Sequence, residues 1–243
     1  MPRYFLEVAY KGTHYKGFQV QKNAVTIQSE VEKALAVVFR KEIMLSGSSR
    51  TDAGVHALQN FFHFDFEEII EKCRLYNINA ILPPDIAVKQ IFPVKDDAHC
   101  RFNATSREYK YVIYQHKDPF LEDRGWYYPY SIDIDLLQQA AMVIMQYKDF
   151  TSFSKRNTQV KSFVCNIITS EWCRENDCII YKVSANRFLR GMVRGLVGTM
   201  LHVGRKQISV NEFKSIIESK DCTKADFTTP AHGLFLVKVN GLI

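Results

Sequence analysis

The sequence predicts an α+β protein made of two halves, each with a mostly antiparallel sheet and helices. Segments of strand composition and segments of helical periodicity follow one another in the order βαβαβ and then βαββααβ. Two strand-like segments also flank Glu175-Asn176-Asp177 as in a β-hairpin, which is antiparallel by construction. This order fits two α+β halves better than one doubly wound parallel sheet.

The first half contains three predicted strands and two predicted helices. The predicted strands are Tyr4 to Tyr10, Phe61 to Phe66 and Ile86 to Ile91. The predicted helices run from about Thr26 to Arg40 and from Glu67 to about Ile81. Ile27, Val31 and Leu35 recur at helical spacing and Thr26 can serve as N-cap, which favours the first helix. The second helix is expected to end before Pro83-Pro84.

The second half repeats the theme without a repeat at the residue level. Its predicted strands are Tyr109 to Tyr114, Ser162 to Trp172, Cys178 to Val183 and Leu234 to Val239. Its predicted helices are Asp135 to Tyr147, Phe188 to about Val203 and Asn211 to Ser219. Basic and polar residues interrupt the pattern between Cys100 and Ser106, so we place the two halves at 1–103 and 104–243. No long flexible linker separates them.

The composition is that of a soluble globular protein with a mild basic bias. The chain has 243 residues, 47% of them hydrophobic and 24% charged, with a net charge of +6. A net charge of this size can simply keep the protein soluble. If the cations are clustered, it can instead favour binding to a polyanionic partner. None of the six cysteines forms a Cys-x-x-Cys pair, no signal-peptide pattern begins the chain, and no apolar run approaches the ~20 residues of a membrane span. We therefore expect a cytoplasmic protein with reduced thiols and no membrane partner.

A glycine-containing loop around Asp52 is the first candidate for chemistry. Small residues precede it from Ser46 to Ser49, and a strand-like segment follows. Arg50 and Asp52 lie two residues apart, so an extended backbone would put both on one side. From the residues alone, a turn stabilised by the aspartate is the favoured interpretation, since such turns are common in loops.

Other chemistries find little support in the sequence. There is no phosphate-binding P-loop and no Rossmann glycine pattern in a suitable context, so no cofactor is expected. His56 and His63 lie seven residues apart with no compact Cys/His cluster in the sequence, so no metal is expected. A hydrolase triad could be assembled on paper from Ser49, His56 and Asp52, although no nucleophile elbow sets its geometry.

Five segments, in the same order, carry a resemblance to a known family. The eight residues from Arg50 to Ala57 resemble the active-site signature of the TruA family of tRNA pseudouridine synthases. The other four segments that resemble the family are Tyr10 to Gln21, Thr105 to Tyr111, Phe188 to Gly198 and Thr229 to Leu236. The chain departs from the family pattern at a few positions. Ser49 stands where Gly is usual, Lys11 for Asp and Phe18 for Trp, and the family usually has Asp or Glu near His232.

The resemblance implies a function, a site and a fold. It implies isomerisation of uridine to pseudouridine at positions 38, 39 and 40 of the tRNA anticodon stem-loop, with Asp52 as nucleophile. Tyr109 and Arg194 would be the other catalytic residues, and Arg50 would take up space beside the extruded nucleotide. The implied fold is one continuous, mostly antiparallel sheet flanked by helices, with a central basic cleft, in a homodimer.

This reaction suits the residues that the chain offers. The N1–C1′ bond breaks, the uracil rotates and C5 joins the sugar, so no group is gained or lost and neither a redox cofactor nor a metal is required. A carboxylate can act as the nucleophile, and a tyrosine ring can retain the detached base by stacking. The sequence leaves open whether Asp52 attacks C1′, attacks C6 or assists through a glycal intermediate. Arg194 is the expected counter-ion, because an unpaired arginine on a partly buried helix would be costly.

Basic residues interleaved with aromatic residues are candidates for contacts with RNA. We name Arg101, Phe102, Lys155 and Arg156 as substrate-binding residues, in addition to Arg50 and Tyr109. Each of these cations alone is better explained as a solvated surface charge, and only the interleaved aromatic residues favour RNA contacts. The main alternative function is a tRNA-binding or tRNA-folding protein that keeps the fold without catalysis.

Overall fold

The computed structural model describes residues 1–156 and 160–243 and contains two compact units. The first unit comprises Met1–Thr105 and Phe235–Ile243, and the second unit comprises Ser106–Leu234. The chain thus passes into the second unit close to the boundary proposed from sequence. Its last segment lies in the first unit, whereas the proposed division gave residues 104–243 to one half.

The longer elements follow the predicted order. The strands are β1 (Arg3–Tyr10), β2 (Ser46–Gly47), β3 (His56–Asp65), β4 (Ile86–Val94), β5 (Ser106–Tyr114), β6 (Trp126–Tyr127), β7 (Ile167–Glu175), β8 (Cys178–Ala185) and β9 (Leu234–Asn240). The α-helices are α1 (Ile27–Phe39), α2 (Cys73–Ile81), α3 (Ile134–Ile144), α4 (Met192–Gly204) and α5 (Val210–Glu218). The short strands β2 and β6, of two residues each, were not predicted. The class is mixed α/β with mostly antiparallel strands, as predicted.

The first unit is built on strands in the order β4, β1, β3 and β9. β1 pairs antiparallel with β3 and with β4, β2 pairs antiparallel with β3, and β3 pairs parallel with β9 through His56 and Phe235. Leu6, Phe61 and Phe62 are fully buried in these strands. The pairing of β3 with β9 is what places the end of the chain in the first unit.

Helix α2 begins later than the sequence predicted. It starts at Cys73, and residues 67–72 precede it. Glu67, Glu68 and Ile69 are exposed, so this stretch has no apolar face to bury against the unit. No side chain caps the start of α2, whereas Thr26 and Ser29 form the predicted N-terminal cap of α1. Charged residues with helical propensity are therefore not helical here, because burial is what stabilises most helices in proteins.

The second unit is built on β5, β8 and β7, which pair antiparallel, with β6 parallel to β5. The predicted hairpin is present, and Asn176 and Asp177 at its turn both have positive φ, 47° and 61°. The first hairpin strand begins at Ile167 and not at Ser162. Residues 163–165 pair instead with 148–150, through a hydrogen bond of 2.8 Å from the Cys165 amide to the Lys148 carbonyl.

Helix α4 begins four residues later than predicted, at Met192. Gly191 precedes it with φ of 74°, a left-handed conformation that glycine adopts without a Cβ clash. Residues 188–191 are therefore a separate segment in front of the helix. None of the helices in the described parts of the chain is long and apolar enough to cross a membrane.

Candidate active site

The Asp52 loop joins β2 to β3 and is fixed on one side by Thr51. Thr51 is buried, and its hydroxyl lies 2.8 Å from the hydroxyl of Tyr10 on β1. Its carbonyl accepts a hydrogen bond of 3.1 Å from the amide of Phe18. The residue directly before Asp52 is thus anchored through both its side chain and its backbone.

Asn60 on β3 fixes the start of the same loop. Its side chain is fully buried, and its amide donates to the Ser49 carbonyl at 2.8 Å and to the Tyr10 hydroxyl at 3.1 Å. The Asn60 side-chain oxygen accepts from the Ser49 amide at 3.3 Å. A fully satisfied buried network of this kind rigidifies the backbone it holds. Tyr10 and Asn60 had not been singled out from the sequence as parts of the site.

The glycine-rich segment after β1 packs directly on the loop. A Cβ at Gly12 would lie 2.0 Å from the Val55 carbonyl oxygen, and one at Gly17 would lie 3.2 Å from the Thr51 oxygen. The Gly12 amide also donates to Nδ1 of His56 at 3.0 Å. Two of the five segments that carry the family resemblance are therefore in contact, and the contact requires glycine at position 12.

Asp52 itself lies at an open edge of this framework. It is half-buried, Arg50 is exposed, and Thr51 between them is buried, which agrees with the extended backbone expected from the spacing. A turn follows, in which the Val55 amide donates to the Asp52 carbonyl at 3.2 Å and Gly54 has φ of 80°. A backbone hydrogen bond therefore closes this turn directly after Asp52.

The geometry does not support a hydrolase triad of Ser49, His56 and Asp52. The hydroxyls of Ser48 and Ser49 are buried, and neither has a hydrogen-bond partner among the described residues. His56 directs Nδ1 to the Gly12 amide, and its ring lies 4.7 Å from that of Phe235. Without a hydrogen bond from Ser49 to a base, the hydroxyl has no activated form.

Three of the predicted RNA contacts line one pocket in the first unit. The pocket has a volume of about 180 Å³ and is lined by Arg50, Arg101 and Phe102. Gln19, Gln28 and His99, which the sequence did not indicate as parts of the site, also line it. Phe18, Leu45 and the β2 strand supply its other walls. The loop that carries Asp52 thus borders a basic and aromatic pocket.

His63, His99 and Cys100 form a compact cluster that spacing in the sequence did not reveal. Their potential ligand atoms all lie within 4.8 Å of one another, and Nδ1 of His63 lies 3.2 Å from the Cys100 sulfur. Burial lowers the pKa of His63 to about 4. Burial and the charges of Arg3 and Arg101 lower the pKa of His99. Those positive charges would also oppose a bound cation, so the cluster fits a neutral hydrogen-bonded pair better than a metal site.

Tyr109 lies on β5 in the second unit, half-buried and opposite Val183 of β8. Its ring meets the ring of Phe188 edge to face, with the centroids 5.0 Å apart. Phe188 belongs to the segment that precedes α4, so this contact joins two of the segments that carry the family resemblance.

Arg194 lies in the first turn of α4 and is bound reciprocally to Thr229. Its Nε donates to the Thr229 carbonyl at 2.7 Å, and the Thr229 hydroxyl donates to the Arg194 carbonyl at 2.8 Å. Thr229 is fully buried. The two bonds set the direction of the guanidinium, so the C-terminal signature positions the arginine; the sequence had suggested no such role for Thr229.

The rest of the C-terminal signature packs on β5. The Tyr111 hydroxyl donates to the Pro230 carbonyl at 2.8 Å, and a Cβ at Gly233 would lie 2.6 Å from the Tyr111 ring. Burial raises the pKa of the Tyr111 hydroxyl, and the charge of Arg194 acts against this rise. Burial lowers the pKa of His232, against the charge of Asp123, an acidic neighbour from outside the signature.

Lys155 and Arg156 lie before the part of the chain that is not described, 157–159. The Lys155 amide donates to the Arg190 carbonyl at 3.1 Å, and its side chain covers Gly191, where a Cβ would lie 3.0 Å from it. Arg156 is exposed. Segment 188–191 therefore contacts Tyr109 on one side and Lys155 on the other, directly before the helix that carries Arg194.

The segments described above fall largely within the regions of the chain that match known proteins. A family model described as tRNA pseudouridine synthase matches residues 7–103 and 147–240, which include Asp52 and Arg194, while Tyr109 lies between the two ranges. The chain is 44% identical to tRNA pseudouridine synthase A of Parabacteroides distasonis, over 98% of this chain and 96% of that protein. It is 44% identical to the Bacteroides fragilis protein of that name, over 98% and 95%. For the Staphylococcus aureus protein the identity is 38%, over 98% and 90%.

Proposed function

Because the chain belongs to the tRNA pseudouridine synthase family, we propose that it isomerises uridine to pseudouridine in tRNA, with Asp52 as the nucleophile. The observation that carries the proposal is the position of Asp52. It lies within a matched range, on a loop whose flanks are held by the buried Tyr10–Thr51–Asn60 network. A carboxylate held in this way can act on a sugar without reorganising.

The proposed reaction balances within the substrate. The bond between N1 of uracil and C1′ breaks, the base turns while it is retained in the site, and C5 bonds to C1′. The proton at C5 is released and N1 gains one, so the product is an isomer of the substrate. The target nucleotide has to leave the RNA stack to reach Asp52, as with other enzymes that act on a base.

Tyr109 and Arg194 have complementary roles in this proposal. The ring of Tyr109 supports the target uracil; base–aromatic stacking contributes roughly 1–3 kcal/mol, which helps to retain a base freed from its sugar. Its edge-to-face contact with Phe188 fixes the ring plane. Arg194 is the counter-ion of Asp52, and the bond from its Nε to Thr229 leaves the terminal nitrogens of the guanidinium to meet a carboxylate.

The substrate and the assembly follow from the family resemblance. The proposed targets are uridines 38, 39 and 40 of the anticodon stem-loop, recognised through tRNA shape and backbone. Arg50, Arg101, Phe102, Lys155 and Arg156 contact the tRNA in a basic cleft, on a sheet that continues through both halves. The enzyme is a cytoplasmic homodimer in this proposal. The net charge of +6 supports a polyanionic substrate.

A nucleoside map of one tRNA before and after treatment tests the proposed function. The expected result is conversion of uridine to pseudouridine at positions 38–40, and no conversion when cytidine replaces uridine at those positions. Tight, salt-sensitive binding that leaves every uridine unchanged would overturn the proposal and favour a non-catalytic tRNA-binding protein. Conversion at other positions only would overturn the choice of target.

A further inference from the structure

Phe102 is an exposed aromatic residue at the end of a row of three rings in contact. Its side chain is 77% exposed. Its ring lies 4.3 Å from that of His99, which lies 4.4 Å from the buried His63. The guanidinium of Arg101 lies 5.8 Å from the Phe102 ring. A single exposed apolar residue needs no explanation. Phe102 differs because ring contacts connect it to a buried histidine and because an arginine lies beside its ring.

The turn that carries Phe102 is fixed by its own hydrogen bonds. The amides of Phe102 and Asn103 both donate to the His99 carbonyl, at 3.1 and 2.9 Å. The Asn103 side chain accepts from the His99 amide at 2.5 Å, and Nδ1 of His99 accepts from the Arg101 amide at 3.2 Å. A ring held in place before a ligand arrives loses little conformational entropy on binding.

The pocket beside this ring has the charge of an anion site. Arg50 and Arg101 line it, and no carboxylate is found among the described residues that form its walls. Gln28 at its base is already satisfied, because its amide donates to Glu32 and to the Leu45 carbonyl and its oxygen accepts from Val20. Gln28 therefore builds the wall, while the exposed arginines are able to meet a phosphate.

We propose that this pocket binds the nucleotide adjacent to the target uridine, with its base stacked on Phe102 and its phosphate held by Arg50 and Arg101. The inference rests on the proposed function and deepens it. Arg50 precedes Asp52 by two residues, so their Cα atoms lie at most about 7 Å apart. A pocket that includes Arg50 is thus within reach of a neighbour of the nucleotide at Asp52. Stacking and charge together are the means by which proteins hold unpaired nucleotides.

The test measures the Kd of an anticodon stem-loop RNA in which one nucleotide at a time, on either side of the target, is made abasic. For the wild type, one abasic position should raise Kd by roughly tenfold, the effect of losing one base stack. Phe102→Ala should raise the Kd of the intact RNA by a similar factor and should show no further loss at that position. Phe102→Trp, which keeps the stack, should bind like the wild type.

Phe120→Ala is the matched control, because Phe120 is 76% exposed but does not line the pocket. It should leave both Kd values unchanged. The inference is overturned if Phe102→Ala binds the intact RNA like the wild type. It is also overturned if Phe102→Ala raises Kd by the same factor for every abasic RNA as for the intact RNA. Since Kd reports binding and not product, this result does not depend on detecting pseudouridine. If wild type forms no pseudouridine but Phe102 still affects Kd as expected, the proposed function is overturned and the binding inference is not.

Discussion

Ser49 places an unpaired hydroxyl beside the buried hydrogen-bond network of Tyr10, Thr51 and Asn60. It stands where the related family usually has glycine, and its oxygen finds no hydrogen-bond partner among the described residues. Burial of an unsatisfied hydroxyl costs roughly 1–3 kcal/mol. The loop is held through the Ser49 backbone, which binds Asn60 in both directions, and not through its side chain.

We therefore expect Ser49→Ala to raise the free energy of unfolding by about 1 kcal/mol or more, and the Tm by a few degrees. Ser152→Ala is the matched control. Ser152 is equally buried, but its hydroxyl donates to the Ile216 carbonyl at 2.7 Å, so its removal should destabilise the protein. Thermal unfolding of both variants checks the contrast. A fall in Tm for Ser49→Ala would mean that its hydroxyl is satisfied in solution.

His63 makes stability depend on pH. Burial lowers its pKa in the folded protein to about 4, below the ordinary value of 6.5. The unfolded chain therefore takes up a proton first as the pH falls, so the stabilisation is complete above about pH 6.5 and is lost progressively down to about pH 4. In urea titrations, wild type should lose more free energy of unfolding over this window than His63→Gln. Parallel profiles for the two proteins would contradict the assignment.

At the scale of single residues, the sequence indicated candidate catalytic residues but not the residues that hold them in place. Asp52, Tyr109 and Arg194 were named because their segments resemble a family in order, and spacing alone favoured a simple turn at Asp52. The residues that hold them could not be named in this way. Asn60 and Thr229 act through contacts distant in sequence, and such contacts are set by the tertiary fold.

Between elements, the link from α4 to the C-terminal signature positions Arg194. The reciprocal hydrogen bonds with Thr229 join the first turn of the helix to residues 35 positions later in the chain. Gly195 and Gly198 lie against Phe227 and Asp226, which lie just before this signature. A Cβ at Gly198 would lie 2.5 Å from the Asp226 carbonyl oxygen. The helix thus packs closely against the residues that lead into the segment that orients its arginine.

Thr229→Val should lower kcat about fivefold with little change in KM. The variant keeps the shape of the side chain but loses the hydroxyl that binds the Arg194 carbonyl, a bond worth roughly 1 kcal/mol. Thr228→Val is the control, because Thr228 is exposed and next in sequence. Steady-state kinetics on tRNA measures the effect. If Thr229→Val loses stability but keeps its kcat, Thr229 serves packing only.

Periodicity predicted the type and order of the longer elements, and tertiary contacts decided their ends. Helix α2 begins at Cys73, and the exposed residues Glu67, Glu68 and Ile69 before it are not helical. Strand β7 begins at Ile167 because residues 163–165 pair with 148–150. Helix α4 begins after Gly191, whose left-handed backbone is recognised only in three dimensions. In each case the residue composition alone did not mark the point where the element begins.

For the molecule as a whole, the position of positive charge matters more than its sum. The net charge of +6 is modest and by itself is weak support for RNA binding. Stronger support comes from the positions of the cations. Arg50 and Arg101 line one pocket, and Lys155 lies beside the segment leading to Arg194. The proposed continuity of the sheet, the cleft and the dimer belong to this scale and stay predictions.

Neutralising Lys155 and Arg156 together should weaken tRNA binding and flatten its salt dependence. Each lost phosphate contact should reduce the slope of log K against log salt by up to about 0.9, because fewer counterions are released. Lys72→Ala with Arg74→Ala removes the same net charge from exposed positions of the first unit and should leave the slope unchanged. If the slope changes equally in both double variants, net charge alone explains the effect. If the slope changes in neither, Lys155 and Arg156 do not contact the RNA.

The central claim is that the carboxylate of Asp52 drives uridine isomerisation, and release of tritium from tRNA labelled at C5 of uracil tests it most directly. The C5–H bond has to break when C5 joins the sugar, so tritium in the solvent, together with pseudouridine in the nucleoside map, reports the reaction. Wild type should release tritium in a single turnover, and Asp52→Asn should release none while it binds tRNA with the Kd of the wild type. Release at the wild-type rate by Asp52→Asn would contradict the claim.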